Sequence, residues 1–213
     1  MPCHIECLYF FLDCDSADIA LVIDSSASIT PDAWNEMKIF LKQLVDQFDI
    51  GPNKVRIGII IYASSAYIEV HLDQYDTATG LKMAIDNLQR RGYLTATDQA
   101  LNLLTNQFFR NTGRAGVDQV AILFTDGASD EPQRTSQAAT DAKANGIRLL
   151  VVGISNLVED YELRDIASNP TYDVFRVEEF SELVNSVNNI SKRACIDIKE
   201  ERGEYFRGHY VKH

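Results

Sequence analysis

Hydrophobic and polar positions along the chain fall into two kinds of block. Residues 18–24 form a continuous apolar run ending in a carboxylate, and similar runs occupy 55–62, 117–125 and 147–154. Runs without polar alternation predict strands buried on both faces of a parallel sheet. The segment 66–72 alternates instead, with Tyr67, Glu69 and His71 opposite Ile68, Val70 and Leu72. That pattern predicts a short hairpin partner at the sheet edge. A last short strand is predicted at 174–177. Thr30-Pro31 opens a helix, Thr as cap and Pro at the first helical position. Its apolar residues Trp34, Met37, Phe40, Leu41, Leu44, Val45 and Phe48 keep helical spacing to about 48. Further helices are predicted at 77–89, 97–109, 133–145, 159–168 and 180–194, the one at 133–145 closed by Gly146. Strand and helix alternating with short links predict an α/β, doubly wound sheet.

The chain has 213 residues, 46% hydrophobic and 24% charged, which fits one domain with a sizeable core. Its formal net charge is −11 and no Lys/Arg cluster exceeds two adjacent residues, which excludes the concentrated positive charge that nucleic acid requires. No apolar run approaches the ~20 residues that span a bilayer, so no membrane insertion is expected. The apolar run 8–12 also lacks the basic region and cleavage site of a signal peptide, so either a signal peptide has been removed or the chain is a fragment. Four cysteines, Cys3, Cys7, Cys14 and Cys195, sit only at the chain ends. An even count there points to disulfides and an oxidising, secreted setting; four reduced thiols are the alternative.

The carboxyl ends of the strands in such a sheet form the ligand crevice. Three polar segments fall there: Asp24-Ser25-Ser26-Ala27-Ser28, Thr95-Ala96-Thr97 and Thr125-Asp126-Gly127. Two carboxylates and several hydroxyls, without His or Cys, are hard oxygen donors. They suit Mg²⁺ first, with Mn²⁺ or Ca²⁺ as alternatives, and argue against zinc or copper. Hydroxyls hold a cation without cancelling its charge, so the ion stays able to attract an anion from outside. An aspartyl phosphoryl-transfer enzyme would need a second Asp two residues after Asp24, where Ser26 stands. There is no Gly-rich phosphate loop, and His4, His71, His209 and His213 lie outside the predicted crevice. No catalytic residue is assigned, and the chain is not expected to be an enzyme.

Asp24, Ser26 and Ser28, the distant Thr95, and Asp126 reproduce in order the Asp-x-Ser-x-Ser, Thr and Thr-Asp-Gly pattern of a metal-ion-dependent adhesion site (MIDAS). On these residues the chain resembles the von Willebrand factor A domain family, which includes integrin inserted domains, matrilins and many collagens. The resemblance extends over about residues 16–195 and divides the chain into a tail or linker at 1–13, a domain at 14–196 and a second tail at 197–213. It implies a mostly parallel six-stranded sheet with one antiparallel edge strand and helices on both faces. It also implies a secreted adhesion module of the extracellular matrix. The partner would be a matrix protein, collagen-like or otherwise presenting an acidic residue to the metal. The alternative is a structural or biomineral-matrix module in which the metal site is not the main contact. Ala27 and Gly92-Tyr93-Leu94 depart from the glycine-rich family pattern and are expected to crowd the metal mouth, which makes Tyr93 and Leu94 candidate ligand contacts. In a domain of this family the ends carrying Cys14 and Cys195 meet on the face away from the metal, which implies a disulfide between them. Cys3 and Cys7 would then pair with each other or with a neighbouring domain.

Overall fold

The computed structural model describes Cys14, residues 16–155 and residues 158–195; Cys3, Cys7 and the expected tails lie outside the described residues. β1 (Ala17–Asp24) runs parallel to β2 (Val55–Tyr62) on one side and to β4 (Asp118–Thr125) on the other. All eight of its residues are buried, the physical reason that the run carries no polar alternation. β5 (Ile147–Ile154) and β6 (Val174–Val177) extend the parallel sheet beyond β4. β3 (Ala66–Val70) pairs antiparallel with β2 at the opposite edge, giving the order β3-β2-β1-β4-β5-β6. The direction of winding reverses between β1 and β4, so the crevice at a topological switch point lies above these two strands.

Successive β1 side chains serve different cores. Ile19, Leu21 and Ile23 pack with α1 (Pro31–Val45), α2 (Ala78–Asp86) and α7 (Leu183–Cys195). Ala20 and Val22 pack on the other face with α3 (Thr97–Leu103), α5 (Pro132–Ala144) and α6 (Asp160–Ile166). Several elements end differently from their sequence pattern: β3 stops at Val70, α2 at Asp86 and α6 at Ile166, each short of the expected end. α1 stops at Val45, because the N–H groups of Gln47 and Phe48 turn back to Leu44 and Val45, although Phe48 stays buried. The helix expected to end at 109 continues through a π turn (Leu104–Phe108) into α4 (Phe109–Thr112). The Thr105 and Thr112 hydroxyls donate to the carbonyls of Leu101 (3.0 Å) and Phe108 (2.9 Å), a local competition for helix acceptors.

The lower edge, where the parallel strands begin, is closed by buried charge and a covalent bond. Asp18, fully buried, accepts from Arg56 Nε and Nη2 at 2.9 Å each, and from the Arg114 backbone at 2.6 Å. Burial alone would raise its pKa, but the hydrogen bonds from Arg56 and Arg114 outweigh it and hold the carboxyl below its ordinary value. Asp173 receives Arg148 and Arg193, each at 2.7 Å, the latter from the last turn of α7. Cys14 and Cys195 form a disulfide with their Cα atoms 5.0 Å apart, joining the start of β1 to the end of α7.

Asp18→Asn is expected to cost about 2–3 kcal/mol in urea unfolding, less than a fully buried pair because Arg56 and Arg114 keep some access to water. The stabilisation by ionised Asp18 is present above its ordinary value of 3.8 and is lost as pH falls through its lower folded value. An unchanged urea midpoint would contradict this role. Opening the disulfide releases a chain segment spanning 181 residues, which lowers stability by at most about 5 kcal/mol. Cys195→Ser should therefore melt well below the parent, and equal melting temperatures would count against a structural bond.

Candidate functional site

Parallel register brings the site together. Ile23 pairs with Phe124, so Asp24 at the end of β1 and Thr125 at the end of β4 emerge side by side, with Asp126 next along the chain. Asp24 Oδ1 accepts the Ser26 N–H at 2.8 Å, a turn that folds the following loop back over the strand end. Its Oδ2 accepts the Thr125 hydroxyl at 3.1 Å. The Ser26 and Ser28 hydroxyls lie 3.0 Å apart, and Ser28 donates to Asp126 Oδ1 at 2.7 Å. Four of the five expected ligand residues thus form one connected cluster. Thr95 is tied instead to Asp130: its N–H donates to Asp130 Oδ2 at 2.6 Å and its carbonyl accepts from Asp130 N at 3.1 Å.

The electrostatics of this cluster are unbalanced. Asp24 is fully buried and Asp126 is 5% exposed, and among the described residues no Lys, Arg or His forms an ion pair with either. Burial, together with the charge of Asp126, pushes the Asp24 carboxyl up to about 6. Burial raises Asp126 as well. Beneath them Tyr62, opposite Asp24 in the β1–β2 register, is raised well above its ordinary value by burial and by the Asp24 charge. Two buried carboxylates with hydroxyl neighbours and no protein cation are the setting a divalent cation would balance. The donor set therefore fits the metal implied by the sequence.

The segment 90–94 borders this cluster. Gly92 N–H donates to the Ser25 carbonyl at 2.8 Å, and Ala27 N–H donates to the Tyr93 carbonyl at 3.0 Å. The loop meets the first motif through backbone groups, while the side chains of Tyr93 (81% exposed) and Leu94 (59% exposed) stand in solvent. Sequence reasoning did not single out Tyr62, Asp130 or Glu162. Glu162, buried on α6, accepts both the N–H and the hydroxyl of Ser129 and so braces the loop after Asp126. Ser155 Oγ supports the same loop, donating to the Asp126 carbonyl at 3.0 Å.

The model of the von Willebrand factor type A domain matches residues 18–189. Matrilin-1 of Bos taurus is 34% identical over 185 residues, 85% of this chain and 34% of that protein. The collagen alpha-4(VI) chain of Mus musculus is 34% identical over 181 residues, 85% of this chain and 8% of that one. The chain thus spans 34% or less of the length of these curated relatives. Among solved structures, proximal thread matrix protein 1 of the mussel byssus superposes with a TM-score of 0.80 at 29% identity, over 86% of this chain and 47% of that one. A further structure of the same protein has a zinc-occupied MIDAS motif. Manganese-loaded TRAP protein of Plasmodium vivax shares the fold, with a TM-score of 0.69 at 19% identity over 83% of this chain and 74% of that one.

With chelator present, Asp24→Asn is expected to raise the unfolding temperature, because it keeps the Oδ1 acceptor and removes a buried charge facing Asp126. Lowering pH from neutral should act on the parent in the same sense. The folded value of about 6 lies above the ordinary 3.8, so the folded state takes up the proton first, and ionisation costs stability as pH climbs. A lower unfolding temperature for the Asn variant in chelator would show that the charge is compensated in some other way.

Proposed function

The chain belongs to the von Willebrand factor type A domain family, and from that premise we propose that it is an adhesion module of the extracellular matrix that grips an acidic group of a protein partner through a bound divalent cation. Asp24, Ser26, Ser28, Thr95 and Asp126 are the proposed ligands. The observation that carries the reading is the pair of buried carboxylates, hydrogen-bonded to hydroxyls and without an ion-pair partner among the described residues. The bound ion would supply a Lewis-acidic centre for one carboxylate oxygen from outside. The protein's own part is positional: the Asp24 turn fixes Ser26, Ser28 is tied to Asp126, and Asp130 fixes the backbone of Thr95.

Mg²⁺ is the proposed ion, with Mn²⁺ and Ca²⁺ next on the oxygen-donor argument. The zinc-occupied motif of the byssus protein shows that oxygen-rich chemistry does not exclude zinc in this family. Relatedness to matrilin and collagen chains supports an extracellular setting and a matrix partner. The net charge of −11 favours a second reading, a structural or mineral-associated module in which the metal site is not the main contact. The disulfide and the Arg193–Asp173 pair both tie the last turn of α7 to the body. A helix held in this way supports a fixed affinity rather than a switch in which α7 slides.

Pull-down from matrix extract separates the two readings. Partner capture is expected with Mg²⁺, should disappear in chelator, and should return when Mg²⁺ or Mn²⁺ is restored. Capture that ignores chelator points to the structural alternative. Asp24→Ala should abolish the calorimetric Mg²⁺ or Mn²⁺ signal, and unchanged affinity in that variant rules out these ligands.

A further inference from the structure

Resting on that metal-site reading, we propose that the turn at residues 90–94 selects partners whose metal-seeking carboxylate is accompanied by an apolar side chain and by a second acidic group. The turn is fixed on both flanks before any partner arrives. On the metal side, Gly92 and Tyr93 bond to the Ser25–Ala27 backbone, and Arg90 Nη1 donates to the Ser26 carbonyl at 3.2 Å. On the β2–β3 side, Arg91 stacks over the Tyr67 ring at 4.7 Å and pairs with Glu69 at 2.6 Å. There the Leu94 N–H also donates to Ser64 Oγ at 3.3 Å. A surface already ordered in this way loses little conformational freedom on binding.

Tyr93 holds a φ of +75°, a left-handed conformation that disfavours a residue with a Cβ and that glycine adopts freely. The backbone gains the bond from Ala27, but the side chain gains no burial, because the Tyr93 ring stands in solvent with Leu94 beside it. A Tyr presented from an ordered turn next to an aliphatic residue is the kind of anchor that contributes most at interfaces.

Charge adds direction. In a chain of net charge −11, an acidic partner is repelled by most of the surface. Arg91 is neutralised by Glu69, but Arg90 makes no ion pair among the described residues and lies against the Ser26 carbonyl. At the other end of the turn, the exposed Asp130 sits at Thr95. The rim is therefore basic on the Ser26 side and acidic on the Thr95 side. A second acid on the partner is drawn to Arg90 and turned away from Asp130, and the apolar neighbour falls on Tyr93 and Leu94.

The test uses the full chain and three synthetic peptides sharing one Glu: one with Ala neighbours, one with a Phe neighbour, and one with that Phe and a second Glu. Affinities are read by fluorescence anisotropy in Mg²⁺ and in chelator. On the parent chain each step is expected to tighten binding by about fivefold. Tyr93→Gly, which suits the backbone at that position, should erase the first step, and Arg90→Ala the second. The readout is a ratio between peptides on one protein, so any general change in metal affinity cancels, and circular dichroism melts verify that each variant is folded. Equal affinities on the parent, ratios that survive in the variants, or no saturable binding up to about 1 mM overturn the proposal. Discrimination that persists in chelator overturns the metal reading and this inference with it. Mg²⁺-dependent binding without discrimination overturns this inference alone.

Discussion

Asp24 and Asp126 are buried next to one another at the ends of neighbouring strands, and nothing positive in the protein is paired with them among the described residues. Isolated buried charge is among the least tolerable features of a protein interior. The surrounding structure supplies hydrogen bonds rather than a counter-charge: the Ser26 amide, the Thr125 hydroxyl and the Ser28 hydroxyl. These favour ionised carboxylates, but burial outweighs them at Asp24. The site thus suits the cation proposed for it, and two unbalanced buried charges cost the fold stability. The register between β1 and β4 imposes the arrangement, because shifting either strand would separate the two carboxylates.

The remainder of the fold holds that register. Both faces of β1 are covered, by α1, α2 and α7 on one side and by α3, α5 and α6 on the other. At the lower edge, Asp18 is clamped by Arg56 from β2 and by Arg114 from the segment before β4, so the three central strands are tied together where they begin. The two edges contrast. Below, buried carboxylates are matched by guanidinium groups; above, they are matched only by neutral groups. Stability is concentrated at one end of the sheet, and the proposed binding site lies at the other.

The strands and the first motif were legible because their signals are local. A fully buried strand needs an unbroken apolar run, and Asp24-x-Ser26-x-Ser28 is a contiguous turn closed by its own Asp. Asp126 was legible because it directly follows such a run. The supporting residues were not. Tyr62 reads as one more apolar strand residue until pairing sets it opposite Asp24. Asp130 reaches Thr95 across 35 positions and Glu162 reaches Ser129 across 33, contacts that no local spacing encodes. Asp18 passed unremarked inside the first run, since its two arginines come from separate elements. The expectation that Tyr93 and Leu94 crowd the mouth followed from their size at positions where the family pattern is rich in glycine. The structure adds that the turn is attached by backbone bonds and that both side chains are exposed.

Crystals grown with Mn²⁺ and measured at the manganese absorption edge test the central claim most directly, because anomalous scattering locates the ion without reference to any partner. The account predicts one strong peak among Asp24, Ser26, Ser28, Thr95 and Asp126, and its loss in crystals of Asp24→Ala. A peak elsewhere with this cluster empty, or a peak here that survives Asp24→Ala, would contradict it.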